Sequence, residues 1–192
     1  MIVGWDENLR GNPHRRRPRR PGRANSDAER RALAKANARP SPWAATPTRP
    51  GFAALTVDGG ARERPPAAAI GYVLMDARGS PLAIHGEAID PVSAVVAEYR
   101  ALLAGLQRAL ELGIDRVDAR TDSRLLAAHV TGERTPNNPK LVALGDEIAE
   151  LMTRIGSVIV GWTPNETTRA AHALVADALS AEPGVSPPSS GR

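Results

Sequence analysis

The sequence has no cysteine and very few aromatic residues. Of its 192 residues, 42% are hydrophobic but only 3% are Phe, Trp or Tyr, so a core built from it must be aliphatic. The lack of cysteine excludes disulfides and thiolate metal sites, which leaves oxygen and imidazole as metal ligands. No apolar run approaches the roughly 20 residues of a membrane span, and the opening MIVGWDENLR lacks the apolar region of a secretory signal. We therefore expect a soluble, cytoplasmic protein.

Charge is divided unevenly along the chain. The net charge is +4, but residues 1–50 hold 12 Lys and Arg against 4 Asp and Glu, while the remainder holds 13 against 17. The basic part contains NPHRRRPRRPGR, which has no apolar periodicity with which to form a core. We expect a mostly disordered arm over residues 1–50 and a disordered tail over residues 183–192. The arm is either a solubilising extension or a nonspecific contact to a nucleic-acid phosphate backbone.

Residues 52–182 have the pattern of one α/β domain. Three β-rich runs, FAALTVD, AAIGYVLMD and PLAIHGEAI, are separated by short turns, which favour antiparallel neighbours. Amphipathic helices then alternate with two further strands, which gives the order β-β-β-α-β-α-α-β-α. Because such alternation implies parallel crossovers, the sheet should be mixed, with helices covering its faces.

Two aspartates occupy the positions where such a sheet collects functional sites. These are the carboxyl ends of the parallel strands, and Asp58 ends the first predicted strand while Asp122 ends the fourth. Each also has a structural interpretation. The stretch DGG is a turn signal, and Asp122 would serve as the N-cap of a helix over SRLLAAHV.

Glu98 lies on the longest predicted helix, beside an apolar stripe and among small residues. The stripe consists of Val95, Tyr99, Leu102 and Leu106. A carboxylate on a closely packed helix surface is costly unless something pairs with it, and a cation shared with Asp58 and Asp122 would remove that cost. Three converging carboxylates favour hard divalent cations, most simply Mg²⁺. Two such ions about 3.5–4 Å apart would suit displacement at phosphorus.

Five stretches around these acids resemble the type 1 ribonuclease H family in its short bacterial form. They are TVDGGAR, VAEYRALLAGLQRALELGIDRV, TDSRLL, TGERTPNNPKL and WTPNETTRAAHALVADAL, in the family's order over about residues 53–180. The resemblance implies a ribonuclease H-like α/β fold, with a five-stranded mixed sheet of three antiparallel and two parallel strands flanked by helices. It also implies hydrolysis of the RNA strand of RNA–DNA hybrids, and we expect this endonuclease to act as a monomer. Two Mg²⁺ ions would be held by four acids, of which Asp58, Glu98 and Asp122 match the first three.

His172 occupies the position of the family's fourth acid. The family's Asn-x-x-x-Asp arrangement on the last helix here runs from Thr168 to His172. Three interpretations stay open. In the first, His172 ligates a metal in place of the carboxylate, which lowers the affinity for a hard ion and favours Mn²⁺. In the second, three carboxylates suffice and His172 assists, for example in proton transfer. In the third, activity has been lost and the protein binds nucleic acid without cleaving it.

Other positions in the matching motifs are candidates for contact with the substrate. Those assigned to phosphate or sugar contact are Gly59, Gly60, Ser93, Ser123, Thr135 and Asn138. Before the glutamate the family usually has Thr-Asn-Asn, whose asparagine senses the RNA 2′-hydroxyl, whereas this chain has Ser93, Ala94 and Val95. The loss of these amides predicts weaker discrimination between RNA and DNA. Trp162 matches a position that is often aromatic or His in the family, and is equally well interpreted as an aromatic residue at the edge of the core.

Overall fold

The computed structural model describes residues 49–181 and contains nine elements in the order that the sequence predicts. The strands are β1 (Ala53–Glu63), β2 (Pro66–Met75), β3 (Pro81–Ile89), β4 (Arg116–Thr121) and β5 (Ser157–Trp162). The helices are α1 (Ala94–Glu111), α2 (Arg124–Val130), α3 (Pro139–Ile155) and α4 (Asn165–Ser180). The predicted arm, apart from its last two residues, and the predicted tail lie outside the described part of the chain. No helix within that part is long and apolar enough to cross a membrane.

The five strands form one mixed sheet in the order β3-β2-β1-β4-β5. The pairs β1–β2 and β2–β3 are antiparallel, and the pairs β1–β4 and β4–β5 are parallel. The turn between β2 and β3 is closed by the Asp76 carboxylate, which accepts hydrogen bonds from the backbone N–H groups of Arg78 (2.9 Å) and Ser80 (2.7 Å). This topology confirms the predicted fold class.

Helices α1 and α4 cover opposite faces of the sheet. A Cβ atom on Gly59 would lie 2.2 Å from the backbone carbon of Ala97 in α1, while one on Gly60 would lie 2.7 Å from Val175 Cγ1 in α4. Successive residues of a strand point to opposite faces, so the two helices lie on either side of β1. The buried core is mostly aliphatic, as the composition predicts, and Tyr99 is its largest fully buried side chain.

Strand β1 continues for five residues beyond Asp58, so the prediction that the strand ends there is wrong. Gly59 and Gly60 pair with β2 in extended conformation, and neither has a positive φ. The two glycines permit the close approach of a helix on each face of the strand. The sequence DGG alone does not show whether its glycines form a turn or make room for such packing. The parallel pairing of β1 with β4 nevertheless ends at Thr56, two residues before Asp58.

The buried residues of α1 also differ from the predicted apolar stripe at one position. Val95 is 36% exposed, whereas its neighbour Val96 is 5% exposed and joins the core. Ser93 caps the helix and thereby begins it, because its side chain accepts a hydrogen bond from the Val96 N–H at 3.4 Å. At the other end Gly113 has a φ of 72°, a left-handed conformation that glycine adopts readily and that ends the helix.

Candidate active site

Three carboxylates from three separate elements converge beyond the end of the parallel strand pair. Asp58 comes from β1, Glu98 from the second turn of α1, and Asp122 from the residue after β4. One oxygen from each lies within 4.8 Å of the other two, so the three acids could hold a metal ion together. The structure therefore brings together three of the four residues that the sequence assigned to metal binding, while their catalytic role stays a prediction.

Burial and the neighbouring negative charges raise the pKa values of Asp58 and Glu98. Burial, together with the negative charges of Asp58 and Asp122, raises the pKa of Glu98 from 4.5 to about 8. Burial and the charge of Asp122 likewise raise the pKa of Asp58, although His172 opposes that shift. Within residues 49–181, no lysine or arginine lies within ion-pair distance of these acids. This part of the chain thus supplies no lysine or arginine to compensate the cluster, which suits a site for an added cation.

A fourth buried acid nearby in the sequence shows the contrasting arrangement. Asp118 is 2% exposed, but the Arg120 guanidinium donates two hydrogen bonds of 2.8 Å to its two carboxylate oxygens. This bidentate pair neutralises Asp118 within the chain. Burial alone therefore does not distinguish the candidate metal ligands. What distinguishes them is that no lysine or arginine of residues 49–181 pairs with them.

Two buried threonines hold the carboxylate oxygens, and the sequence did not predict either role. The Thr121 hydroxyl donates to Glu98 Oε2 at 3.5 Å, and the Thr168 hydroxyl reaches Asp122 Oδ2 at 3.2 Å. Both residues are fully buried. The available signals were that Thr121 directly precedes Asp122 and that Thr168 replaces the family's asparagine.

Asp122 is not a helix cap, so that structural interpretation is wrong. Ser123 is the N-cap of α2 and accepts a hydrogen bond from the Leu126 N–H at 3.4 Å, which leaves the Asp122 carboxylate to the acidic cluster. Ser93 caps α1, and Asn138 caps α3 through a 3.0 Å hydrogen bond from the Lys140 N–H. Three of the residues assigned to substrate contact therefore have a local structural role.

The remaining substrate-contact candidates differ in their position relative to the acids. Gly59 and Gly60 follow Asp58 directly in β1. Thr135 is exposed in the loop between α2 and α3. Within the described residues, neither Thr135 nor Asn138 forms a side-chain hydrogen bond or ion pair with the acidic cluster. Substrate contact by these residues stays a prediction.

His172 lies at the edge of the cluster, against Asp58. Its Nδ1 atom is 3.1 Å from Asp58 Oδ2, and its side chain is 58% exposed. The sheet explains this placement: Asp58 pairs with Gly71 of β2, and a Cβ on Gly71 would lie 2.6 Å from the carbonyl oxygen of Ala171, the residue before His172. The flat surface at Gly71 lets α4 approach closely enough for the imidazole to reach the carboxylate. His172 is not among the three residues whose ligand atoms lie within 4.8 Å of one another.

The fold and the acidic cluster define a ribonuclease H-like class of α/β protein. A family model described as "Reverse transcriptase-like" matches residues 56–178. Ribonuclease HI of Halobacterium salinarum is 34% identical over 133 residues, which is 69% of this chain and 67% of that protein. The chain belongs to the type 1 ribonuclease H family.

Solved structures agree with this assignment. The ribonuclease H1 of Halobacterium salinarum has a TM-score of 0.64 at 33% identity, over 67% of this chain and 98% of that one. The N-terminal ribonuclease H domain of a bifunctional Mycobacterium tuberculosis protein has a TM-score of 0.64 at 30% identity, over 67% and 93%. The matched region is 35% of that full mycobacterial protein. A ribonuclease H1 isolated from compost, in complex with an RNA/DNA hybrid, has a TM-score of 0.61 at 30% identity, over 66% and 95%.

Proposed function

We propose that this protein is a metal-dependent endoribonuclease that cleaves the RNA strand of RNA–DNA hybrids as a cytoplasmic monomer. The observation that carries the proposal is the cluster of Asp58, Glu98 and Asp122, with which no lysine or arginine of residues 49–181 forms an ion pair. Relatives named ribonuclease HI and ribonuclease H1, one of them bound to an RNA/DNA hybrid, support the same substrate.

The three carboxylates fit Mg²⁺, a hard cation that prefers oxygen ligands. When bound, a pair of such ions supplies an activated water and stabilises the leaving oxygen. Asp58 and Asp122 would hold the cations, and Glu98 would complete one site. Because the pKa of Glu98 is raised to about 8, its carboxyl group would have to lose a proton to solvent before it could ligate a cation at neutral pH. Thr121 and Thr168 keep the ligand oxygens of Glu98 and Asp122 in place.

His172 stands, in this proposal, at the weaker second metal site. An imidazole carries no negative charge, so this site has three formal negative charges where the family has four. Its preference among divalent cations therefore moves from Mg²⁺ towards Mn²⁺. The 3.1 Å contact with Asp58 supports the placement, because it holds the imidazole against a ligand carboxylate. We expect His172→Asp to raise cleavage in Mg²⁺ more than in Mn²⁺, measured as initial rates on a labelled hybrid. Equal rates for wild type and variant in both metals would contradict a role for position 172.

The direct test of the proposed function is cleavage of a hybrid labelled on its RNA strand. Wild-type protein should cut it in Mn²⁺ and, more slowly, in Mg²⁺, while Asp122→Asn should not; duplex RNA and duplex DNA serve as comparison substrates. Ala94 and Val95 are exposed where the family carries amides, so we expect weaker preference for RNA over DNA than in relatives with those amides.

A second candidate function is binding of the hybrid without cleavage. The observation that favours it is the imidazole of His172 at the position of a metal-binding acid. Binding without product in either metal would establish this second function and reject the first.

A further inference from the structure

Trp162 connects the last strand to the residue that carries one of the site's acids. It is the final residue of β5, and its indole Nε1–H donates a 3.1 Å hydrogen bond to the backbone carbonyl of Asp122. Trp162 is nonetheless 41% exposed, so a role as an aromatic residue at the edge of the core does not explain the part of the side chain that faces solvent. The indole therefore anchors the backbone at Asp122 from a position that solvent reaches.

Arg124 lies on the same indole. It is the first residue of α2, two residues after Asp122, and its guanidinium carbon is 4.0 Å from the centroid of the Trp162 ring. Arg124 is exposed, and within residues 49–181 it forms no ion pair with any carboxylate. A guanidinium is always charged and has five N–H donors. Stacking on the ring orients that charge and leaves its donors free.

We propose that Arg124, held by Trp162, binds a backbone phosphate of the substrate strand next to the acidic cluster. This inference rests on the proposed nucleic-acid substrate. A polyanion approaching three carboxylates needs compensating positive charge, and a planar guanidinium matches a phosphate through two parallel hydrogen bonds. Because Trp162 contacts both the guanidinium and the Asp122 carbonyl, it fixes the phosphate site relative to the metal site. Trp162 is thus a positioning residue.

The chain offers a matched control for the charge of Arg124. Arg116 begins β4, and its guanidinium carbon lies 4.8 Å from the centroid of the Phe52 ring. It is therefore also an arginine stacked on an aromatic ring, but at the opposite end of the strand that leads to Asp122. Arg116→Ala removes the same charge and the same kind of contact without touching the proposed phosphate site.

The test is binding of a fluorescent hybrid in EDTA, followed by anisotropy over a range of salt concentrations. If Arg124 neutralises one phosphate, Arg124→Ala should make the slope of log K against log [salt] shallower by about 0.9, whereas Arg116→Ala should leave the slope unchanged. Arg124→Lys should restore the slope, since it restores the charge. An unchanged slope in Arg124→Ala, or an equal change in both alanine variants, would overturn the inference. Failure of the wild type to bind any hybrid, in EDTA and in Mn²⁺ alike, would overturn the proposed function as well.

Substitution of Trp162 separates its two contacts. Trp162→Phe retains a ring face for Arg124 but removes the N–H that anchors Asp122. We expect kcat to fall several-fold with KM and the salt slope close to wild type, whereas Trp162→Leu should also raise KM and lose the slope contribution of Arg124. Equal kcat in wild type and Trp162→Phe would reject the positioning role. Circular dichroism and thermal unfolding of each variant exclude misfolding as the cause.

Discussion

Replacement of Glu98 by Gln should stabilise the metal-free protein at high pH. The carboxyl ionises at an ordinary pKa of 4.5 in the unfolded chain but at about 8 in the folded one. The stability that the protonated group contributes is therefore fully present below pH 4.5 and is lost as the pH rises through 8. Glutamine has nearly the same shape, cannot ionise, and keeps an oxygen that can accept from Thr121.

The magnitude follows from the size of the shift. One pKa unit corresponds to about 1.36 kcal/mol, so a shift of this size sets an upper limit near 5 kcal/mol. Solvent reaches part of the carboxyl group, and the repulsion is shared with Asp58 and Asp122, which lowers the expected effect to roughly 2–4 kcal/mol. Between pH 5 and pH 9, the wild type should lose this much more stability than Glu98→Gln.

Urea denaturation in EDTA at pH 5, 7 and 9 measures the difference as a free energy of unfolding. Glu150→Gln on the exposed face of α3 is the control, because it removes a solvated carboxylate and should follow the wild type. Excess Mg²⁺ or Mn²⁺ should then stabilise the wild type at pH 8 but stabilise Glu98→Gln much less. Parallel pH profiles for wild type and Glu98→Gln would refute the conclusion that burial and repulsion hold a proton on Glu98.

Two further predictions concern the packing of β1 and the basic arm. Gly59→Ala should lower the free energy of unfolding by several kcal/mol or prevent cooperative unfolding in urea, since its Cβ would lie 2.2 Å from the backbone of Ala97. Gly161→Ala is the control and should be nearly neutral, because its Cβ would come no closer than 3.9 Å to Arg120. Similar urea midpoints for the two variants would contradict this prediction. Removal of residues 1–48 should make the salt dependence of hybrid binding shallower if the arm contacts phosphate, and an unchanged slope would show that it does not.

The order of elements was predictable because it depends on local patterns. Alternating and helical periodicities, short turns and the glycine after α1 are properties of neighbouring residues, and they yielded all nine elements. Which side chains of an element are buried was harder to predict. Val95 and Val96 are equally apolar, and only the direction from which the sheet packs against α1 decides which of them is buried.

The side-chain partners were not predictable, because they join distant parts of the chain. The sequence supported two interpretations of Asp122, and the tertiary structure decided against the helix cap because Ser123 takes that position. It likewise supported two interpretations of Trp162, whose indole forms a hydrogen bond with the Asp122 carbonyl, 40 residues away in the sequence. Neither contact leaves a periodic signal in the sequence.

The sequence by itself determined the α/β order, the aliphatic core and the family resemblance that singled out Asp58, Glu98, Asp122 and His172. Only the tertiary structure decided that the three acids share one site while Asp118 is neutralised by Arg120, and that His172 contacts Asp58. The physical reason is that a carboxylate's protonation and ligand capacity depend on the charges and solvent around it. Those surroundings exist only once strands and helices distant in sequence have packed together.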